Sequence, residues 1–481
     1  MKGGAPSSSL AGKTEFSNSI VRLGAGYFCV FMAFNTTQAL ISTLVSDKQL
    51  AYATLGVLYG VFTATSFVAP KIVDRVGPRM AITGGALFYV AFVFCNIYPV
   101  WATLLPASAG VGFGAAVLWT GQGIYLSRCA VREAALTGEP VDDVTSRMNG
   151  TFWTMFQFNA AVGLCLSSII LGRAQAGAFA LADAVKWMFT GFGALGLGGV
   201  AVFFSLKNAP PMDAGERAGG DAEDGEGAKG GAAPASAGAT FLDTIRLIWS
   251  NRAMQLLLPA IFYTGASLGF FGATFPLVYQ DSATTQALLP SSYVGYQAAT
   301  FYLANSFFSY TFGKLVVPRI GRRPLFLVTF ATAACFFALL ALRAVGLIAF
   351  AHESAGAYIF VFGLSVLFAA GDSVLESQVP AIIQSPTFFP VERDRDAANS
   401  VLRMMQSLGY CAQFGISIFA SCASGSSGCT LQAGVLAALM VLALGSLWAC
   451  DRFVRSIDSS SKAGNAGADV GSDYAAVPAD E

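Results

Sequence analysis

Two carboxylates and one guanidinium occur inside stretches that are otherwise apolar. Asp372 and Glu376 are four residues apart in the stretch 357–383, so they share one face if this stretch is helical. Arg403, about one turn into the next apolar stretch, is the nearest basic residue that could reach them. An ionised carboxylate in the middle of a membrane helix costs about 2.5–3.5 kcal/mol on insertion scales, so it needs a partner, a cavity or a proton. The sequence therefore leaves two alternatives open, a structural ion pair and a cation or proton site.

Uncharged polar side chains and two tryptophans occupy the apolar stretches as well. Gln378 follows Glu376 in the same stretch, and Gln406 lies three residues after Arg403. The remaining members of this set are Asn35, Gln38, Trp119, Thr120, Gln122, Trp153 and Gln157. We expect these side chains to line a central cavity. For each one taken singly, a hydrogen bond between neighbouring helices is the alternative, because polar side chains hold membrane helices together.

No arrangement typical of an enzyme or a metalloprotein is found in the sequence. It contains one histidine, His352, and neither a Gly-x-Ser-x-Gly turn nor a glycine-rich phosphate loop. The nine cysteines have no metal-ligand spacing, although Cys422 and Cys429 flank a Gly/Ser turn and could form a disulfide on an oxidising side of a membrane. We therefore predict no catalysis, no metal and no cofactor. The absence of a basic run also predicts no nucleic-acid partner.

The elements that carry the polar side chains are predicted to be membrane helices. The chain of 481 residues is 55% hydrophobic and 12% charged, with a mean hydropathy of +0.60. A soluble core cannot bury so much apolar surface, and about 20 apolar residues are enough to cross the hydrocarbon of a bilayer. Such stretches occur at 20–44, 52–70, 79–98, 102–127, 148–172, 186–206, 254–278, 293–313, 324–348, 357–383, 398–421 and 431–451. These patterns predict an all-α membrane protein with twelve transmembrane helices.

A charged turn occurs once in each half of the chain. The first copy is 70–79 and the second is 314–323, with Gly321 standing 244 residues after Gly77. This repeat predicts two similar six-helix bundles. The first copy resembles the loop between helices 2 and 3 of the major facilitator superfamily, although Pro70 replaces its first glycine and Pro318 replaces the Asp in the second copy. By this resemblance the turn latches the cytosolic side closed, through Asp74, Arg75, Gly77, Arg79, Arg319, Gly321 and Arg323.

Composition divides the chain into five segments. The termini, 1–19 and 454–481, are polar and expected to be disordered and cytosolic, whereas 20–206 and 253–453 hold six predicted helices each. The cytosolic linker 207–252 ends in a stretch that suits a short helix on the membrane surface or the first turns of the seventh span. With the amino terminus in the cytosol, 24 of the 28 lysines and arginines fall on the cytosolic side. This bias predicts a multi-pass protein with both termini in the cytosol, in the plasma membrane or an endomembrane.

Four stretches resemble one family within the major facilitators. They are 31–38 (FMAFNTTQ), 114–126 (GAAVLWTGQGIYL), 147–157 and 403–410 (RMMQSLGY), and the LWTGQG run is the most specific. Together they look like the uncoordinated-93-like family, the ion-channel-regulatory branch of the superfamily. The resemblance implies the major facilitator fold, in which two pseudo-repeated six-helix bundles face each other. It also implies a connection with potassium-channel regulation, potassium homeostasis and receptor trafficking.

Two functional hypotheses follow from these features. The resemblance favours a regulator or trafficking partner of ion channels or other membrane proteins. The alternative is a secondary active transporter that binds a small solute or cation at a midplane site between the two halves. A third possibility, an ion channel, is disfavoured because the sequence has no repeat that resembles a selectivity filter. The expected partners are the lipid bilayer, another membrane protein such as a channel, and a small solute or cation.

Overall fold

The computed structural model describes residues 7–44, 48–175, 177–178, 180–209, 241–275, 288–289, 293–419 and 426–472. Within these ranges the chain is helical and has no β-strand. Cys422, and most of the linker expected at 207–252, lie outside the described residues.

The first half of the chain forms seven helices in the described ranges. They are α1 (Ser7–Leu44), α2 (Lys48–Ser66), α3 (Ala69–Val76), α4 (Pro78–Cys95), α5 (Trp101–Thr137), α6 (Val141–Gln175) and α7 (Leu181–Phe204). Helices α2 and α3 are bent by 70° relative to each other at residues 67–68. Pro70 lies in the first turn of α3, where its missing N–H removes no helical hydrogen bond.

The second half continues with eight helices in the described ranges. They are α8 (Phe241–Ser250), α9 (Arg252–Gly269), α10 (Val294–Tyr310), α11 (Val317–Ile320), α12 (Arg323–Ala344), α13 (Ala355–Gln384), α14 (Glu392–Phe419) and α15 (Ser426–Ser472). Single π-helical turns follow α9 at Phe270–Thr274 and α10 at Thr311–Val316. A separate α8 is present because Asn251 adopts an extended backbone and caps α9, its side chain accepting a hydrogen bond from the Met254 N–H at 3.0 Å.

The two halves are built from the same helix pairs. In the first half α1 packs against α6 and α7, while α5 packs against α2 and α4; in the second half α9 packs against α14 and α15, while α13 packs against α10 and α12. Both copies of the charged turn also have the same backbone, since Gly77 and Gly321 adopt φ values of 79° and 77°. These positive values are accessible to glycine at little cost. The structure therefore confirms the predicted repeat.

Nine described helices are long and apolar enough to cross a membrane, or ten if the bent pair α2 and α3 makes one span. The remaining two positions of a twelve-helix bundle belong to α10 and α14. Helix α14 is more polar than the other spans. It packs against α2, α5 and α9 and has little surface left for lipid, so its polar side chains face other helices. Aromatic side chains fill the core of each half, around Tyr27 in the first and Phe368 in the second.

The helical ends differ from the expected boundaries at both termini. Helix α1 begins at Ser7 rather than near residue 20, and α15 continues to Ser472 rather than ending near residue 453. These parts of the chain are thus helical where the composition favoured disorder. Neither extension contains a proline, so no residue forces the helix to stop.

Candidate functional site

The central charged site consists of the side chains of Asp372, Glu376, Arg403 and Gln406. It lies where α13 and α14 of the second half meet α5 of the first half. Asp372, Glu376 and Arg403 are only 3%, 3% and 4% exposed. The side chains therefore lie inside the protein rather than at its lipid surface.

Only one oxygen of the Asp372 carboxylate has a hydrogen-bond partner. The Asn305 side chain, on α10, donates a hydrogen bond of 2.7 Å to its Oδ2, whereas Oδ1 is buried and has no hydrogen-bond partner. A cavity of about 10 Å³ borders Asp372, Tyr263, Ser267 and Thr329, which is close to the minimum for one water molecule. An unpaired carboxylate oxygen beside a small cavity is a suitable place for a proton or a cation.

Glu376 and Arg403 are joined through a glutamine. The Gln406 Nε2 donates to Glu376 Oε1 at 2.7 Å, and Arg403 Nη1 donates to Gln406 Oε1 at 2.9 Å. Among the described residues, no carboxylate oxygen lies within 4.0 Å of Arg403. Arg403, the basic residue expected to pair with the acids, is thus linked to Glu376 by a neutral amide and not by a direct ion pair.

Two tryptophans of the first half surround Arg403. Its guanidinium carbon lies 4.6 Å from the ring centroid of Trp119 and 5.9 Å from that of Trp153. The two indole rings are themselves stacked at 6.0 Å. Arg403 Nη2 also donates to Gln122 Oε1 at 3.3 Å, which joins α14 to α5. A cation over an indole face is stabilised by the ring quadrupole, most strongly where water is excluded.

The other predicted polar residues lie outside this cluster. Asn35 donates to Asn159 at 3.1 Å and Gln38 donates to Tyr59 at 2.8 Å, so both make bonds within the first half. Gln378 accepts a hydrogen bond of 3.2 Å from Ser146 and joins the two halves. Thr120 and Gln157, the remaining two of the predicted cavity residues, are buried.

One end of the bundle carries the two charged turns and is called the basic end. Here Arg322 donates to Ser146 Oγ and to the Asp142 carbonyl, each at 3.0 Å. Burial lowers the pKa of Arg322, while the nearby Asp142 acts in the opposite direction. Arg322 therefore connects the start of α12 to α6, across the boundary between the halves.

A second pair of charges closes the basic end. Arg128 Nη2 on α5 lies 3.2 Å from Asp396 Oδ2 on α14, and Arg128 Nε lies 3.2 Å from Glu392 Oε1. Asp396 precedes the predicted span 398–421, and burial raises its pKa to about 7 even though Arg128 lowers it. These contacts hold the halves together at this end.

The predicted latch residues lie at the basic end without bridging the halves directly. Asp74 and Arg75 are exposed, and no described hydrogen bond or ion pair involves either side chain. Arg79 donates to the Leu206 carbonyl at 3.3 Å, and Arg323 pairs with Asp451 at 2.5 Å, each within its own half. Gly77 and Gly321 shape the turns, and Arg319 is exposed.

Several residues that make polar contacts in the central charged site or between the halves were not singled out from the sequence. Asn305 is a polar residue inside a predicted span, so the rule that selected Asn35 would also have selected it. Arg128, Arg322 and Asp396 lie just outside the predicted spans, where charged residues are common and give no signal. The described residues contain no group of three or more His, Cys, Asp or Glu side chains placed to hold a metal ion.

Comparison with known proteins provides a family match over most of the chain. A family model described as "Ion channel regulatory protein UNC-93" matches residues 42–441. Protein unc-93 homolog A of Bos taurus is 30% identical over 434 residues, which cover 83% of this chain and 87% of the relative. The UNC93-like protein 3 of Arabidopsis thaliana is 29% identical over 268 residues, or 55% of this chain and 54% of the relative.

Solved structures with a similar fold are major facilitators. A transporter of that superfamily, FucP, in the outward conformation has a TM-score of 0.61 at 14% identity, covering 90% of this chain and 99% of its own. The proton:xylose symporter XylE has a TM-score of 0.64 at 12% identity, covering 90% of this chain and 96% of its own. At such low identity the similarity establishes the fold alone, which agrees with the predicted two six-helix bundles.

Proposed function

Because this chain belongs to the UNC-93 family of ion channel regulatory proteins, we propose that it regulates ion channels of the membrane in which it resides. Potassium channels are the channel class that we infer, and the regulation takes place between membrane-embedded surfaces. The observation that carries the proposal is the match of the family model to residues 42–441, which include the described helices from α2 to α14 and the first third of α15. The protein is expected to act without catalysis.

The fold supports a regulator with two states. The halves contact each other at the basic end through buried polar side chains, among them Arg128, Arg322 and Asp396. Polar contacts of this kind can be exchanged for contacts with water when the halves move apart. A partner channel that binds one arrangement of the halves better than the other would shift the balance between them.

Whole-cell current recording tests this function. Cells that express a potassium channel should carry a different potassium current when this protein is co-expressed, at equal channel abundance on the surface. The variant Arg322→Gln removes a contact between the halves and should alter the effect. Arg323→Gln removes an arginine whose partner, Asp451, lies in the same half, and it should retain the effect. An unchanged current with well-expressed wild-type protein would reject channel regulation.

Secondary transport is the second candidate, and one observation favours it. Asp372 is buried, has one unpaired oxygen and borders a cavity, as expected for a residue that takes up a proton or a cation. Purified protein in liposomes should then carry a flux of solute or cation that Asp372→Asn abolishes. Gln413→Leu, which removes a buried amide elsewhere on α14, should retain the flux. Liposomes that contain folded protein and show no flux for any tested ion or solute would exclude this function.

A further inference from the structure

The surroundings of Arg403 contain more hydrogen-bond donors than acceptors. Arg403 itself is a buried cation whose described hydrogen bonds go only to the amide oxygens of Gln406 and Gln122. Both acceptors are neutral, and Glu376 is reached only through Gln406. A buried guanidinium has five N–H groups and is best satisfied by an oxyanion that accepts two of them.

The first half adds unsatisfied donors at the same place. Gln122 Nε2 is buried with no hydrogen-bond partner, and its Oε1 is the atom that accepts from Arg403, so the unpaired amide group is adjacent to the guanidinium. Trp153 Nε1 is also buried and without a partner, on the ring that lies 5.9 Å from the Arg403 guanidinium carbon. Gln122 and Trp153 are 0% and 3% exposed. Leaving such donors unpaired is unfavourable, and a bound acceptor would satisfy them.

We propose that Arg403, Gln122 and Trp153 form a binding site for a small carboxylate anion between the two halves of the protein. Guanidinium and primary amide groups bind the two oxygens of a carboxylate side by side, whereas a spherical anion uses this geometry less well. The stacked indoles of Trp119 and Trp153 provide an apolar wall for the rest of the anion.

The site takes donors from both halves, so occupancy depends on how they are arranged. A cavity of only about 10 Å³ borders Arg403, Gln406 and Glu376, which is too small for a carboxylate anion. Binding therefore requires α14 to move away from α5 and α6, and an anion held there favours a separated arrangement. This goes beyond channel regulation, because it makes the state of the protein depend on a soluble anion.

Thermal unfolding of the purified full-length protein tests the site, with intrinsic tryptophan fluorescence as the readout. The probes are sodium acetate and sodium benzoate, with sodium chloride at equal ionic strength. Acetate or benzoate should raise the unfolding temperature in a saturable way, as a ligand of the native state does. Chloride should give no saturable rise.

Three variants test whether the anion binds at Arg403 and Trp153. Trp153→Phe keeps an aromatic ring but removes the indole N–H donor, so it should weaken carboxylate binding about tenfold. Arg403→Lys keeps the charge but loses the fork of donors and should have a similar or larger effect. Gln413→Leu is the control, because Gln413 is ten residues from Arg403, or about 15 Å along α14, and bonds to Gln432.

Each other outcome overturns the proposal. Saturable stabilisation by chloride alone would show that the site binds an inorganic anion and not a carboxylate. If both Trp153→Phe and Arg403→Lys respond to carboxylates as the wild type does, the anion binds elsewhere. If no salt gives a saturable response, the protein has no such anion site. The measurement needs no channel, so its failure leaves the proposed regulation of channels standing.

Discussion

At the scale of single residues, the central charged site combines one cation, two acids and one amide, which links the cation to Glu376. The sequence singled out Asp372, Glu376, Arg403 and Gln406 as candidates, because polar residues inside an apolar stretch are costly and therefore conspicuous. It could not show that Gln406 separates Arg403 from Glu376, since the choice between a direct and a relayed contact depends on side-chain conformation. The hydrogen bond from Asn305 to Asp372 could not be predicted from the sequence either, because the two residues are 67 positions apart in the chain.

Removal of the cation alone should destabilise the protein. Arg403→Gln leaves Glu376 and Asp372 buried without a positive charge. Removing one partner of a direct buried ion pair costs about 3–5 kcal/mol, and the relayed link through Gln406 should cost less than that. We expect a lower yield of folded protein and a lower unfolding temperature, measured on detergent-solubilised protein. The triple variant Asp372→Asn, Glu376→Gln, Arg403→Gln should recover most of this loss. If Arg403→Gln is as stable as the wild type, the three charges are not coupled.

The recovered triple variant also separates structure from function. If Asp372 binds a cation or a proton, the triple variant should fold but remain inactive in the current or flux assay, because a neutral amide cannot replace the carboxylate. Full activity of the triple variant would show that the charges serve stability alone.

At the scale of elements, the polar contacts between halves are concentrated at the basic end. The repeated turn predicted where this end lies, and its glycines at 77 and 321 have the expected equivalent backbone. The turn did not predict which side chains bridge the halves: Arg322 does so in the second copy, where the first copy has Pro78. Which side chain of a basic turn reaches across depends on the tilt of the helices, and a sequence pattern does not encode that tilt.

Loss of Arg322 should open the basic end. Arg322→Gln removes the hydrogen bonds to Ser146 and the Asp142 carbonyl, so the halves should separate more often. A cysteine introduced at Ser127, which is 2% exposed and bonds to Gln384 across the halves, should then react faster with a membrane-impermeant thiol reagent applied from the cytosolic side. Arg323→Gln serves as the control and should leave the rate unchanged. Equal rates in both variants would mean that Arg322 does not hold this end closed.

The basic end should also respond to pH through Asp396. Its pKa is raised by burial to about 7 in the folded protein, against about 3.9 in an unfolded chain, while Arg128 and Arg395 lower it and Glu392 raises it. A raised pKa means that the stability contributed by the protonated acid is complete below about pH 4 and is lost as the pH rises through about 7. The unfolding temperature of the wild type should therefore fall between pH 5 and pH 8, and that of Asp396→Asn should fall less. An identical pH dependence in both proteins would contradict this assignment.

At the scale of the whole molecule, composition and repetition were enough for the fold. Long apolar stretches predicted the helices, and the two turns predicted the two halves. The packing within α1 to α7 and within α9 to α15 confirms both halves. The sequence predicted a span at 398–421, and the structure begins this helix, α14, earlier, at Glu392. The orientation in the membrane stays a prediction from the distribution of basic residues.

Accessibility of tags tests that orientation. With 24 of 28 lysines and arginines on the predicted cytosolic side, epitopes at either terminus or in the linker 208–240 should stain only in permeabilised cells. An epitope near Ser426 should stain in intact cells if the protein is at the cell surface. A linker epitope that stains without permeabilisation would invert the assignment of every loop.

Reconstitution with a channel measures the proposed function most directly. A purified potassium channel is placed in a planar bilayer with and without this protein, and the open probability of single channels is recorded. We predict that the protein alone adds no channel-like current and that it changes the open probability of the potassium channel. An open probability that is the same with and without the protein, when both are shown to be in the bilayer, would contradict direct regulation.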